Sequence, residues 1–333
     1  MYGVTEATLL AQLNAFMAAP LDQARNLFHE VGARTVEAAR RHVIDLHEFH
    51  SVAYRPLDTR FHYNHSAYND RLRPVLQQVW GTDNFALFVL PNGTGAGPAV
   101  WCQGNLPDRH AFRGSYGGYA FPLHDRRAAV NDTNVAGTLI DGLCAAYGTA
   151  VEPEQIFHAI LCLLSARSYT LRFAEDLEDV FPHVPFPADH AVFERAATLG
   201  ARIRATQAID IATQPAALAD AGFVRLLTVP TPGASLAASQ PEGPTLTLCA
   251  DGSGVVEGLP PRLWAFEVSG YPVLARWLEG RRGLPLDLAL FDALRDVCAR
   301  IDDLIELAEQ ADTILEQALS ATLNRESLGM PAA

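Results

Sequence analysis

Apolar positions recur at helical spacing through the first fifty residues. Leu9, Leu10, Leu13 and Phe16 form one stripe, and Pro20 interrupts it. Ala24, Leu27, Phe28, Val31, Val36, Ala39, Val43 and Leu46 form a second, so residues 5–48 are predicted helical. The pattern then changes. Phe85 to Leu90 is a continuous apolar run, as expected of a buried strand. It is followed by the Pro91–Pro98 glycine-rich connection and a second strand from Ala99 to Cys102. Residues 116–123 read as a strand, and residues 128–150 as helical but rich in glycine. Pro153 to Ser165 is an apolar helix, and Phe193 to Ile209 is another. Between these last two, Pro182, Pro185 and Pro187 force an extended bridge. Residues 211–262 alternate short strands (223–229, 245–249 and 255–256) with loops, and Asp251–Gly254 is a turn.

The stretch Arg262 to Gly283 carries the sharpest local pattern. Alternation from Leu263 to Val268 predicts a strand, and Ser269-Gly270 a turn. Tyr271-Pro272 is predicted to open a helix, with Pro272 at its first position. That helix places Val273, Leu274, Trp277 and Leu278 on one face, Arg276 and Glu279 on the other, and ends at Gly280. From Leu286 to Leu319 one or two helices carry an inner face that includes Leu294, Val297, Ile301 and Leu304. Asp302, Asp303, Glu306, Glu309, Asp312 and Glu316 give an acidic outer face, read first as solvated and second as a surface for a partner helix.

These elements define an α+β chain with a helical N-terminal spacer, a mixed β-rich recognition region with packed helices, and long C-terminal helices. The divisions fall at 1–50 (helical spacer), 51–127 (β-rich basic segment), 128–210 (helical), 211–323 (β-rich, then C-terminal helices) and 324–333 (tail). An apolar fraction of 49% over 333 residues suffices for a sizeable core. Five scattered cysteines without a C-x-x-C pair read as reduced thiols, hence a cytoplasmic protein. No signal-peptide pattern and no membrane-length apolar run is present. Met1 and the tail after Leu323 are what a whole gene product would show.

Charge changes the picture. A net charge of −13 argues against a general polyanion binder. Yet the segment from Tyr54 to Arg127 holds eight Arg against five Asp and no Glu, and four histidines besides. Every basic side chain other than histidine is arginine. Within the segment, Arg55-Pro56-Leu57-Asp58-Thr59-Arg60 sets an Asp between two arginines. An Asp-braced guanidinium is a rigid fork suited to phosphate or base edges; the other reading is an internal pair that only fixes a turn.

Catalytic signals are lacking. His47-Glu48-Phe49-His50 is one residue short of the zinc spacing H-E-x-x-H, so no metal is expected. The glycines of 93–97 lead into a strand, whereas a phosphate-binding loop leads into a helix. Asn105-Leu106-Pro107-Asp108 lacks the proline carbonyl and the aromatic ring that an adenine-methylating N-P-P-Y tetrad needs. No cofactor loop is found, and no enzyme activity is expected of the chain on its own.

Four ordered blocks resemble one family. Tyr54-Arg55-Pro56-Leu57-Asp58-Thr59-Arg60, with Arg71 and Arg73 following, is the first. Tyr116 to Leu123 is the second, and Ala159 to Pro187 the third. Trp264, Phe266, Val268, Gly270, Tyr271, Val273, Trp277, Leu278, Arg281, Arg282 and Gly283 are the fourth. Together they resemble the C-terminal specificity region of single-chain type ISP restriction-modification enzymes and related adenine-N6 DNA methyltransferases. The chain departs from that pattern at Ser269, where the family has Gly, and at Arg276 and Glu279, where it has lysines. The resemblance implies a non-catalytic reader of double-stranded DNA that serves a separately encoded methyltransferase or restriction subunit, in phage defence. Arg55, Arg60, Arg71, Arg73, Arg126 and Arg127 are expected at phosphates. Readers of guanine are expected among Arg109, Arg113, Arg276, Arg281 and Arg282. The alternative is an interaction or decoy module that keeps the fold and has lost DNA affinity, to which the net charge, the acidic helices and the missing lysines point.

Overall fold

The computed structural model describes residues 2–32, 34–69, 74–80, 84–112, 117–127, 133–208, 222–237 and 245–330. The chain opens with a short strand β1 (Tyr2–Gly3) and helices α1 (Glu6–Ala18), α2 (Leu21–Leu27) and α3 (Val36–Arg40). Thr5 caps α1 and Thr35 caps α3, each accepting from the N–H three residues on. The second predicted helical run stops at α3. Strand β2 (Phe49–Arg55) and strand β3 (Asp58–Tyr63) then form an antiparallel hairpin. Leu9, Leu13, Phe16, Phe28, Tyr63 and Tyr68 close a small core of their own between this hairpin and the helices.

The hairpin turn, Pro56-Leu57, joins that unit to the rest. Leu57 has φ +55, and its side chain is buried in the main core. Left-handed backbone at a leucine costs about 1–3 kcal/mol, and full burial of the side chain returns about as much. Packing therefore holds the turn in a conformation that local preference disfavours.

After helix α4 (Pro74–Trp80), strands β4 (Ala86–Val89) and β5 (Val100–Gln103) pair antiparallel, as the apolar runs predict. The glycine-rich connection between them is docked. Its Ala96 and Pro98 carbonyls accept from the N–H groups of Gly270 and Ser269, and the Thr170 hydroxyl donates to the Gly97 carbonyl. A β-carbon on Gly97 would lie 1.8 Å from the Glu267 carbonyl oxygen, so only glycine fits there. Strand β6 (Leu106–Pro107) adds in parallel to β2, giving the sheet order β1-β3-β2-β6. Strand β7 (Tyr119–Pro122) adds to β4.

Helices α5 (Gly137–Tyr147), α6 (Pro153–Ser165), α7 (Arg167–Arg172), α8 (Asp176–Asp179) and α9 (His190–Gln207) follow. Helix α6 has Pro153 at its first position, and the Gln155 side chain accepts from the Glu152 N–H. Gly200, in the middle of α9, lets α6 come close: a β-carbon there would lie 1.8 Å from the His158 carbonyl oxygen. Strands β8 (Arg225–Leu226), β9 (Thr245–Thr247) and β10 (Val255–Glu257) form a small sheet.

The fourth block differs from its pattern. Its first residues form a helical turn, α10 (Pro261–Trp264), not a strand. Strand is confined to β11 (Glu267–Val268), which pairs with β12 (Tyr271–Pro272). Pro260 and Pro261 start α10 and shorten the alternating run. Helix α11 (Val273–Glu279) begins one residue after Pro272 and ends before Gly280. Its apolar face is buried as the spacing requires. The C-terminal helix is one element, α12 (Leu288–Ser320), capped by Asp287. Its acidic face is not simply solvated. Asp302 pairs with Arg262 at 2.7 Å, Asp303 accepts from the Thr206 hydroxyl, Asp312 accepts from Ser168, and Glu316 pairs with Arg172. The described residues contain no helix long and apolar enough to cross a membrane.

Candidate nucleic-acid interface

The hairpin turn and helix α11 meet across the sequence to form a cleft of about 510 Å³. Tyr54, Arg55, Asp58 and Arg60 line it from one side, and Tyr271, Arg276 and Glu279 from the other. Asp58 is its buried anchor. Its Oδ2 accepts from Arg60 Nη2 at 2.8 Å and from Arg60 Nε at 3.1 Å. Its Oδ1 accepts from Arg281 Nη2 at 2.8 Å. Arg60 also reaches the Gly280 carbonyl at 3.3 Å, at the end of α11. One carboxylate thus ties two guanidiniums and two distant segments together.

Aromatic rings set the planes of these arginines. Arg55 and Arg60 both lie over the Tyr54 ring, at 4.0 Å and 4.3 Å from its centroid. Arg281 lies over Trp277 at 3.7 Å and donates to the Trp277 carbonyl. Behind Arg55, Asp108 accepts from it at 3.4 Å and from the Tyr2 hydroxyl at 2.7 Å. Arg55 therefore pairs with Asp108, and Asp58 braces Arg60 and Arg281. Burial, then the Asp108 charge, pushes the Tyr2 phenol up, and burial does the same to Tyr271. Both rings stay neutral. Burial pulls the Arg281 guanidinium down, against the opposing pull of Asp58.

The other sequence candidates are spread more widely. Arg281 is buried beneath the cleft, while Arg282 beside it is exposed. Arg109 is exposed one residue after Asp108. Arg126 and Arg127 follow β7 and do not line the cleft; Arg127 closes its fork on Asp125 at 2.7 Å. Arg71, Arg73 and Arg113 lie outside the described residues. The sequence shows the arginines and the local Asp58–Arg60 brace, but not that Asp58 also holds Arg281 or that Asp108 holds Arg55 across long separations. Asp108 sits inside the Asn105-Leu106-Pro107-Asp108 stretch, considered there only for catalysis. The described residues hold no group of three or more His, Cys, Asp or Glu placed to bind a metal.

Fold and cleft together define a binding module with an arginine-lined, aromatic-walled groove on an α+β scaffold. The chain belongs to the family of the Type ISP C-terminal specificity domain, whose model matches residues 1–309. Solved structures share the fold at low identity. The cryo-EM structure of a DrdV–DNA complex superposes with TM-score 0.65 at 17% identity, over 97% of this chain and 35% of that one. A nuclease-deletion mutant of the Type ISP restriction-modification enzyme LlaGI, in complex with a DNA substrate mimic, gives 0.63 at 14%, over 93% and 26%. The ATP-dependent Type ISP enzyme LlaBIII bound to DNA gives 0.66 at 12%, over 93% and 22%. The chain thus spans about a third or less of the length of these structures. No curated protein sequence matches it.

Proposed function

We propose that this chain is a non-catalytic DNA target-recognition module of a restriction-modification system, acting in the cytoplasm. Methylation or cleavage would be carried out by domains or subunits that it directs to a site. The observation that carries the reading is the convergence of Arg55, Arg60 and Arg276 on one cleft, the first two aimed by Asp108, Asp58 and the Tyr54 ring. Guanidiniums held in plane lose little freedom on binding and suit phosphate oxygens and guanine edges. The net charge of −13 is offset locally, where Arg55, Arg60, Arg276 and Arg281 outnumber Asp108, Asp58 and Glu279. In this reading Arg55 and Arg60 meet the backbone, Arg276 reaches a base edge, and Arg109 and Arg282 flank them. Arg281, being buried, is a positioning residue that holds Arg60 and α11 in place.

The DNA-bound state of the structural neighbours supports the same reading. The decoy alternative loses part of its basis, because four of the acidic groups on α12 are engaged within the chain. The test is fluorescence anisotropy with a short randomised duplex pool at low and moderate salt, followed by sequencing of the bound fraction. Salt-dependent binding that enriches a motif is expected. A folded protein that binds no duplex at low salt overturns the reading.

A further inference from the structure

Helix α11 ends in a solvent-facing ion pair that lines the cleft. Glu279 lies in the last turn, against the negative end of the helix dipole, where cations are favoured. It also lines a cleft otherwise set with arginines. A carboxylate there repels backbone phosphates. Asp58, the other carboxylate lining the cleft, has both oxygens committed to Arg60 and Arg281. Glu279 is about half exposed and touches Arg276, also half exposed, through Oε2 to Nη1 at 2.5 Å. Its Oε1, and the Nη2 and Nε of Arg276, make no hydrogen bond with a described residue. The cleft wall therefore offers two free donors beside one free acceptor, on a solvent-facing helix end.

That order of groups has a complement. Along the major-groove edge, a G·C pair presents guanine N7 and O6 as acceptors and then the cytosine N4 amine as donor. We infer that Arg276 and Glu279 act as one reading unit for a single G·C pair, Arg276 on guanine N7 and O6 and Glu279 on the cytosine amine. The inference rests on the DNA-recognition reading and adds to it a specificity-determining residue, Glu279. The contact between the two side chains orients both before DNA arrives. Phosphates are left to Arg55 and Arg60, which have no exposed carboxylate directly against them. The departure from the family's lysine at Glu279 is then a change of base preference, not a loss of DNA binding.

The experiment is selection from a randomised duplex pool with the full chain, comparing wild type, Glu279→Gln, Glu279→Ala and Arg276→Ala. Both side chains are exposed, and an unchanged thermal midpoint shows that the variants fold. The wild type is expected to enrich a motif with one fixed G·C pair that depends on this helix. Glu279→Ala should relax that position alone, by about 5- to 150-fold in preference. Glu279→Gln should shift it toward A·T, since glutamine suits adenine. Arg276→Ala should relax the same position. A motif unchanged at every position in both Glu279 variants overturns the inference while leaving DNA recognition standing. A uniform gain in affinity without a change of motif overturns it too, and makes Glu279 only a source of repulsion. A wild-type protein that enriches no motif defeats the target-recognition reading and this inference with it.

Discussion

Arg281 and Asp58 are 223 positions apart in sequence, yet their guanidinium and carboxylate meet at 2.8 Å, both buried. This contact fastens the β2–β3 turn to the end of α11 and so builds the cleft. Two charges buried together are costly to separate, because removing one partner leaves the other desolvated and unpaired. Asp58→Ala is expected to lose about 3–5 kcal/mol of stability, measured by urea denaturation. An unchanged midpoint would mean that Asp58 does not anchor the cleft.

The arginines that line the cleft should behave differently from one that lies outside it. Arg55→Gln is expected to weaken binding to all duplex sequences alike and to lower the salt slope by about 0.9. Arg127→Gln should leave both unchanged, because Arg127 does not line the cleft. Anisotropy titrations over a salt series separate the two outcomes. Equal effects would place the backbone contact away from the cleft.

His158 gives the fold a pH dependence. It is buried beneath Phe85, with Arg204 and Glu154 the charged groups facing it. Burial first, and Arg204 second, hold it down at about 4, against an ordinary 6.5, while Glu154 opposes them. The folded value lies below the unfolded one, so the unfolded chain takes up the extra proton between these values. Stability is full above about pH 6.5 and falls as pH drops toward 4, by up to about 3 kcal/mol. The check is the difference in unfolding free energy between wild type and His158→Gln across that range. A difference that does not vary with pH would show that His158 titrates normally.

Gly200 is required by the close approach of α6 and α9. Gly200→Ala places a methyl on the His158 carbonyl, and the helices must move apart. The expected cost is about 2–3 kcal/mol, seen as a lower thermal midpoint. Ordinary helix propensity predicts the opposite sign, a gain of up to about 1 kcal/mol, so the direction alone decides.

Ser269 offers a gain. Its φ is +49 in the β11–β12 turn, and its buried hydroxyl has no hydrogen-bond partner. Ser269→Gly relieves the backbone strain and removes the orphaned group, against the greater freedom of glycine in the unfolded chain. A net gain of about 0.5–1 kcal/mol is expected, and a fall in thermal midpoint would count against it.

Much of the architecture is legible in the local pattern of residues. Periodicity gave α6, the β4–β5 hairpin and the buried face of α11, since burial of one face repeats at the local spacing of helix or strand. Four ordered blocks pointed to the family. Asp58 could be read as bracing Arg60, because the two lie two residues apart on one strand. Pro260 and Pro261 are a local signal too: they start α10 where alternation suggests a strand. The rest depends on which distant segments meet. The acids of α12 find partners on α7, α9 and α10, which no helical wheel reveals. Above all, Arg281 was indistinguishable in sequence from Arg282, yet one is buried on Asp58 and the other exposed. Charge identity is written in the residue, but whether a guanidinium faces solvent or a carboxylate depends on which distant segment folds against it.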